Sequence, residues 1–130
     1  MNQTLTNVYK VKSNYDLTES HERLIETLKQ VGFGVLWELN FKDKLREKGL
    51  AYNEDFLVME VCNPAKAKVV LEAEIDMGFM LPCKVGIHTE NGSCFMGLMK
   101  PSSMVSNESL TSLAKEVEDA LILAIDGAAK

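Results

Sequence analysis

The sequence predicts an α+β domain: a mainly antiparallel sheet of about five strands with helices packed on one face. Three observations predict it. Short runs of alternating apolar and polar residues interleave with longer runs whose apolar residues recur every three or four positions. Asn91-Gly92 sits between two of the strand-like runs, the signature of a tight two-residue hairpin. The resulting order is strand, helix, strand, short helix, strand, helix, hairpin, helix, which leaves no room for a purely parallel sheet. At 130 residues the chain can bury a core without staples, and residues 1–130 are expected to form one domain.

The first strand is expected at Val8-Tyr9-Lys10-Val11-Lys12, rich in β-branched and aromatic residues. Asp16 or Thr18 offers a helix N-cap, and Asp16 with Glu19 three residues on fits the capping-box spacing. Leu17, His21, Leu24, Ile25, Leu28 and Val31 then form a helical stripe that stops at Gly32. His21, at the edge of that stripe, reads as a partly buried helix histidine. The spacing predicts a second strand over Gly34 to Leu39, with Val35, Trp37 and Leu39 on one face and Leu36 and Glu38 on the other. Phe41 to Lys48 is expected as a short charged helix, whose Lys42, Lys44, Arg46 and Lys48, diluted by Asp43 and Glu47, read as a solvated face ahead of an anion site.

Phe56 to Cys62 forms a third strand, with Leu57, Met59 and Val61 on one side and Val58, Glu60 and Cys62 on the other. Asn63 caps the next helix and Pro64 takes its first position, where a missing N–H costs nothing. Glu74 to Leu81 is expected as a loop turning at Met77-Gly78. The hairpin register about Asn91-Gly92 puts Cys83, Val85, Ile87, Cys94, Met96 and Leu98 on one face. His88 opposite Phe95, and Gly86 opposite Gly97, fall on the other. Two facing glycines suit either close approach by another element, ligand or subunit, or sheet distortion. The last helix begins at Ser106 or Asn107 and is expected to end at Gly127. With helices on one face only, Leu36, Val58, His88, Phe95 and Met99 on the other suggest a homodimer through that face.

Composition removes several function classes. The net charge of −5 argues against a broad phosphate-binding surface, so no nucleic-acid partner is expected. No apolar run approaches the roughly 20 residues needed to span a bilayer. The start Met1-Asn2-Gln3-Thr4 lacks the basic and apolar blocks of a signal peptide. Together with three cysteines, an odd number, this points to a reducing cytoplasm. Phosphate loops, dinucleotide fingerprints, nucleophile elbows and paired-histidine motifs are absent, and no acid/base pair can be named, so no enzyme class follows.

The stretch from Glu60 to Cys83 carries the candidate chemistry. Cys62 precedes the N-cap of a helix, where the dipole favours a reactive thiolate. Cys83 opens the next strand directly after Pro82. If those strands are antiparallel neighbours, both thiols lie at one end of the sheet, with Glu60 on the side of Cys62. Free cysteine also serves as a small buried hydrophobe, and that reading stands beside the reactive one. Cys83 and Cys94 share a hairpin face but lie roughly 20 Å apart, at about 3.4 Å per residue, too far for a disulfide. Zinc or another thiophilic metal would need ligands beyond Cys62 and Cys83. Met77, Met80, Met96 and Met99 would suit a soft metal such as Cu(I), or simply fill the core.

Four segments then carry a resemblance: Gly32-Phe33-Gly34-Val35, Lys44-Leu45-Arg46-Glu47-Lys48-Gly49, Cys62-Asn63-Pro64 with Ala67, and Leu81-Pro82-Cys83-Lys84-Val85. In order and spacing, from about residue 15 to residue 117, the chain resembles the bacterial and archaeal domain-of-unknown-function family 302. The resemblance implies a compact α+β sandwich with an antiparallel sheet and a tendency to dimerise. It maps the family's two cysteine motifs onto Cys62 and Cys83, with Cys94 in neither. Glu60 departs from the family pattern, which has a small residue there. The expected function is a small-ligand or metal-binding, thiol-dependent module using Cys62 and Cys83, with Glu38, Glu60 and Lys48 as polar neighbours. The alternative is a dimeric structural or protein-interaction domain whose cysteines belong to the core.

Overall fold

The computed structural model describes residues 5–130, so the reading of the first four residues lies outside it. Five strands form one antiparallel sheet: β1 (Val8–Ser13), β2 (Gly34–Asn40), β3 (Phe56–Cys62), β4 (Cys83–Glu90) and β5 (Ser93–Met99), in the order β1-β5-β4-β3-β2. Four α-helices accompany them: α1 (Leu17–Gln30), α2 (Phe41–Glu47), α3 (Pro64–Ala73) and α4 (Glu108–Ala129). The expected α+β architecture and element order are therefore present. No helix among the described residues is long and apolar enough to cross a membrane.

Local chemistry sets most of the boundaries. Asp16 caps α1 by accepting from the Glu19 N–H at 2.9 Å. Asn63 accepts from Lys66 N–H at 3.1 Å, with Pro64 in the first turn of α3. Asn107 caps α4 through Ser109 and Leu110. Gly32, at φ 87°, closes α1 in the left-handed region that disfavours any side chain. Asn91 (φ 52°) and Gly92 (φ 85°) make the expected hairpin turn, and the pairs Ile87–Met96, His88–Phe95 and Gly86–Gly97 follow.

One face of the sheet packs on α1 and α4. Met59, Val61, Val85, Ile87 and Met96 interlock there with Leu24, Leu28, Leu121 and Ile125, each essentially inaccessible to water. Polar ties reinforce the layers at their margins. Tyr9 donates to Asp126 at 2.6 Å, which together with partial burial pushes the phenol up to about 12. Thr27 donates to the Ala124 carbonyl at 2.8 Å and Arg23 to the Ala128 carbonyl at 2.9 Å.

One departure from expectation follows from such ties. Helix α4 runs on through Gly127 to Ala129, where Arg23 donates to the Gly127 and Ala128 carbonyls and the Asn14 N–H to the Ala129 carbonyl. Secondly, the expected loop after α3 contains a 3-10 helix, Ile75–Met80, begun by Glu74 accepting from Asp76 N–H. A third departure is in β2. A bulge between Val35 and Trp37 shifts the register, so Val35 pairs with Val61 while Trp37 pairs with Glu60 and Leu39 with Val58. Trp37 and Leu39 therefore lie on the open face. Glu38, opposite Met59, lies on the helix side. Leu36 sits at the bulge and is exposed.

The facing glycines are explained within the chain. A Cβ at Gly97 would overlap the Tyr9 carbonyl oxygen and approach Lys10 Cα to 3.0 Å, and one at Gly86 would come within 3.1 Å of the Phe56 ring. On the open face Phe56, His88 and Phe95 stack at centroid spacings of 5.3 Å, and Lys10 Nζ lies 5.1 Å over the Phe95 ring. Burial and the Lys10 ammonium both push the His88 pKa down.

Because the obstruction at Gly97 is backbone, Gly97→Ala is expected to cost about 3 kcal/mol in urea unfolding, at the severe end of overpacking. Gly34→Ala, with nothing within 4 Å of the new carbon, should stay within about 0.5 kcal/mol of wild type. Equal effects of the two would show that β1 does not approach as described.

A methionine-lined cavity at one end of the sheet

Strands β3 and β4 are antiparallel neighbours, as the paired-thiol idea requires. Their register places Cys83 opposite Val61, with Glu60 opposite Lys84. Cys62 and Cys83 thus meet at one end of the sheet, where both border a recess of about 20 Å³ between Val61 and α3. The pleat nevertheless gives them different sides. Cys83 alternates with buried Val85 and packs on the main core, whereas Cys62 alternates with Glu60 towards the open face.

Burial dominates at Cys83. It pushes the thiol up to about 11, with nearby Cys62 adding to the effect. The group is neutral S–H at physiological pH, the opposite of an activated thiolate. Ahead of α3, Asn63 Oδ1 already accepts from the first turn. Cys94 is buried, with its Sγ donating to Ser20 Oγ at 3.6 Å, and burial raises its pKa too. All three cysteines are free.

The other expected polar neighbours are dispersed. Glu38 pairs with His21 Nε2 at 2.6 Å, on the helix side of the sheet. Lys48 follows α2 beyond the far end of β2, where Asn40 pairs with Leu57. Leu57 is five residues from Cys62, roughly 17 Å along an extended strand. Among the described residues no three His, Cys, Asp or Glu side chains converge as a metal site. A zinc ion needs about four such donors, so the residues around Cys62 and Cys83 do not fit it.

What the sheet end does hold is an apolar cavity of about 580 Å³. Its walls include Met77, Met80, Met99 and Met104, with Leu98 and Leu121 deeper in, Cys83 in the wall, and Glu60 and Lys84 at the polar side. Of the methionines considered for a soft metal, Met96 is instead fully buried in the core. Neither Glu60 nor Lys84 joins any ion pair among the described residues.

Two short 3-10 segments build opposite walls. The Ile75–Met80 segment rests on a small apolar cluster of Val70, Met77 and Ala114. A Cβ at Gly78 would lie 2.9 Å from Leu71 Cδ2, so the glycine permits close seating on α3. The Pro101–Met104 segment is instead clamped by Glu118 of α4, itself 3% exposed. The Ser102 hydroxyl donates to Glu118 Oε1 at 2.7 Å and the Ser102 N–H at 3.1 Å. The sequence offered a partial signal for this cavity, since methionines cluster beside Pro82 and Pro101. Nothing in the pattern brought the two clusters together, and Phe79, Met104 and Pro101 went unnoticed.

The Cys83 environment has a direct consequence in titration. Its folded pKa is raised, so the preference for the neutral thiol is fully present below about pH 9 and is lost as pH rises through about 11. Brief alkylation with mass mapping should find Cys83 nearly silent at pH 7–8 and accelerating towards pH 11. A half-maximal rate near the unperturbed value of about 8.5 would contradict the burial described here.

The comparisons agree with this architecture. No match is found among curated proteins. A crystal structure of an uncharacterized conserved protein DUF302 from Bacillus stearothermophilus superimposes with a TM-score of 0.92 at 36% sequence identity, covering 97% of this chain and 100% of that one. The model of the family described as Domain of unknown function DUF302 matches residues 9–128, a wider span than the sequence motifs marked. The chain belongs to the DUF302 family.

Proposed function

We propose that the domain binds a small amphipathic molecule, with its apolar part in the methionine-lined cavity and its polar end between Glu60 and Lys84. The observation that carries this reading is the cavity itself. About 580 Å³ falls within the usual range of small-molecule sites, which are mostly apolar with a few polar groups. Flexible, polarisable thioethers adapt to ligands of differing outline. Glu60 and Lys84 face each other across β3 and β4 without an ion pair closed between them. In this reading Cys83 contributes a neutral, polarisable wall, and Cys62 borders the adjoining recess. The thiols shape the site and do not attack the ligand.

The fluorophore 1-anilinonaphthalene-8-sulfonate offers a test, since its rings suit the cavity and its sulfonate suits Lys84. Saturable binding is expected. Ala114→Leu, which projects a larger side chain into the lining, should abolish it, with a lowered but still cooperative thermal unfolding transition. Lys84→Glu should weaken it by about 5-fold or more, with less effect on the uncharged N-phenyl-1-naphthylamine. Binding unchanged by both substitutions would place the probe elsewhere and overturn the proposal.

A further inference from the structure

The chain has seven methionines, and Met1 lies outside the described residues. The other six divide by place. Met59 and Met96 are fully buried and fill the main core, the ordinary use of an unbranched apolar side chain. Met77, Met80, Met99 and Met104 all line the cavity at the sheet end. Met99 and Met104 are 47% and 50% exposed, so neither fills the interior.

Three separate segments deliver these four side chains. Met77 and Met80 are three residues apart on the Ile75–Met80 3-10 helix, where side chains at that spacing eclipse and so share a face. Met99 ends β5, and Met104 ends the Pro101–Met104 segment. Two bonds from Ser102 to the buried Glu118 carboxylate hold that last segment on α4, which limits where Met104 can reach. Each methionine has three rotatable bonds with which to turn its sulfur towards a shared centre.

We propose that the cavity binds one Cu(I) ion through the thioether sulfurs of Met77, Met80, Met99 and Met104. Thioethers are soft donors and select soft ions, of which Cu(I) is the monovalent first-row case. Charge favours the same ion. Glu60 and Lys84 leave the polar side of the cavity with no net charge, so an entering cation gives up water without gaining a fixed counter-charge. That penalty falls harder on a divalent ion such as zinc than on a monovalent one. The half-exposed Met99 and Met104 give the ion a path in.

The ion would occupy the same cavity as an amphipathic ligand, but through a different property of it. A ligand needs the apolar volume, which leucine in place of methionine preserves, whereas the ion needs the sulfur, which leucine removes. Fluorophore binding without metal binding therefore overturns the metal site alone. Metal binding without fluorophore binding overturns the ligand reading alone.

Methyl NMR of the full chain, with methionine labelled by carbon-13 at its ε-methyl, tests the site. The probes are Ag(I), a soft monovalent ion that is stable in air, and Cu(I) under anaerobic conditions. At one equivalent the Met77, Met80, Met99 and Met104 methyl signals should shift, and those of Met59 and Met96 should stay in place. Met99→Leu combined with Met104→Leu should lower the Cu(I) affinity by about 10-fold or more, read by competition with a chromogenic chelator. The same variant should still bind 1-anilinonaphthalene-8-sulfonate. Met96→Leu, in the core, should leave the Cu(I) affinity unchanged. If the four cavity methyl signals do not move, the inference is overturned. So it is if the Cu(I) affinity survives the paired leucine substitutions, since thiols then hold the metal.

Discussion

Asn91 and Gly92, both with positive φ, turn β4 back on β5 in a two-residue connection, and the facing of nearly every residue discussed depends on that turn. In a hairpin this tight no residue is left over to absorb a slip, so the pairs outward from the turn are fixed in sequence. Met96 and Leu98 consequently face α1 and α4, while Phe95 and Met99 face away. A shift of one residue would exchange those sets and drive Phe95 towards the helices. The same register carries through β3, where it sets Lys84 against Glu60 and Cys83 against Val61. Polar groups at the cavity and a thiol in its wall are thus outcomes of the same short turn, eight residues or so away along β4.

Much of the fold was legible because the signals involved are local. An Asx side chain three residues before the N–H it binds, a proline in a first helical turn and an Asn-Gly pair each act within a few residues. The α+β class and the element order followed from those signals. What escaped notice depended on tertiary contact. The bulge at Leu36 leaves the composition of β2 unaltered but moves Trp37 to the other face. Gly127 reads as a helix stop until Arg23 of α1 and the Asn14 N–H are seen to satisfy the carbonyls of Gly127, Ala128 and Ala129. The cavity was the least visible feature, since Met77 and Met80 reach Met99 and Met104 only across separate segments.

Removal from water disfavours a thiolate. Burial raises the pKa of Cys83, with nearby Cys62 adding to the effect, and that of Cys94, whose Sγ meets Ser20 Oγ. The cysteines that the sequence places at element ends do meet at one end of the sheet, because β3 and β4 are antiparallel neighbours. Of the polar residues grouped with them, only Glu60 stands at the cavity. Glu38 is engaged by His21, and Lys48 lies at the opposite end of β2.

The Val70, Met77 and Ala114 cluster beneath the Ile75–Met80 segment is separate from the main core between the sheet and helices. Each residue of the main core is held by neighbours on several elements, so its sequence is constrained by the whole domain. The smaller cluster answers mainly to one helical turn of α3 and one of α4. Substitutions at Met77, Met80 or Phe79 can therefore reshape the hollow and its rim without disturbing the register of any strand. The stability of the domain and the shape of the hollow are thus borne by different sets of side chains.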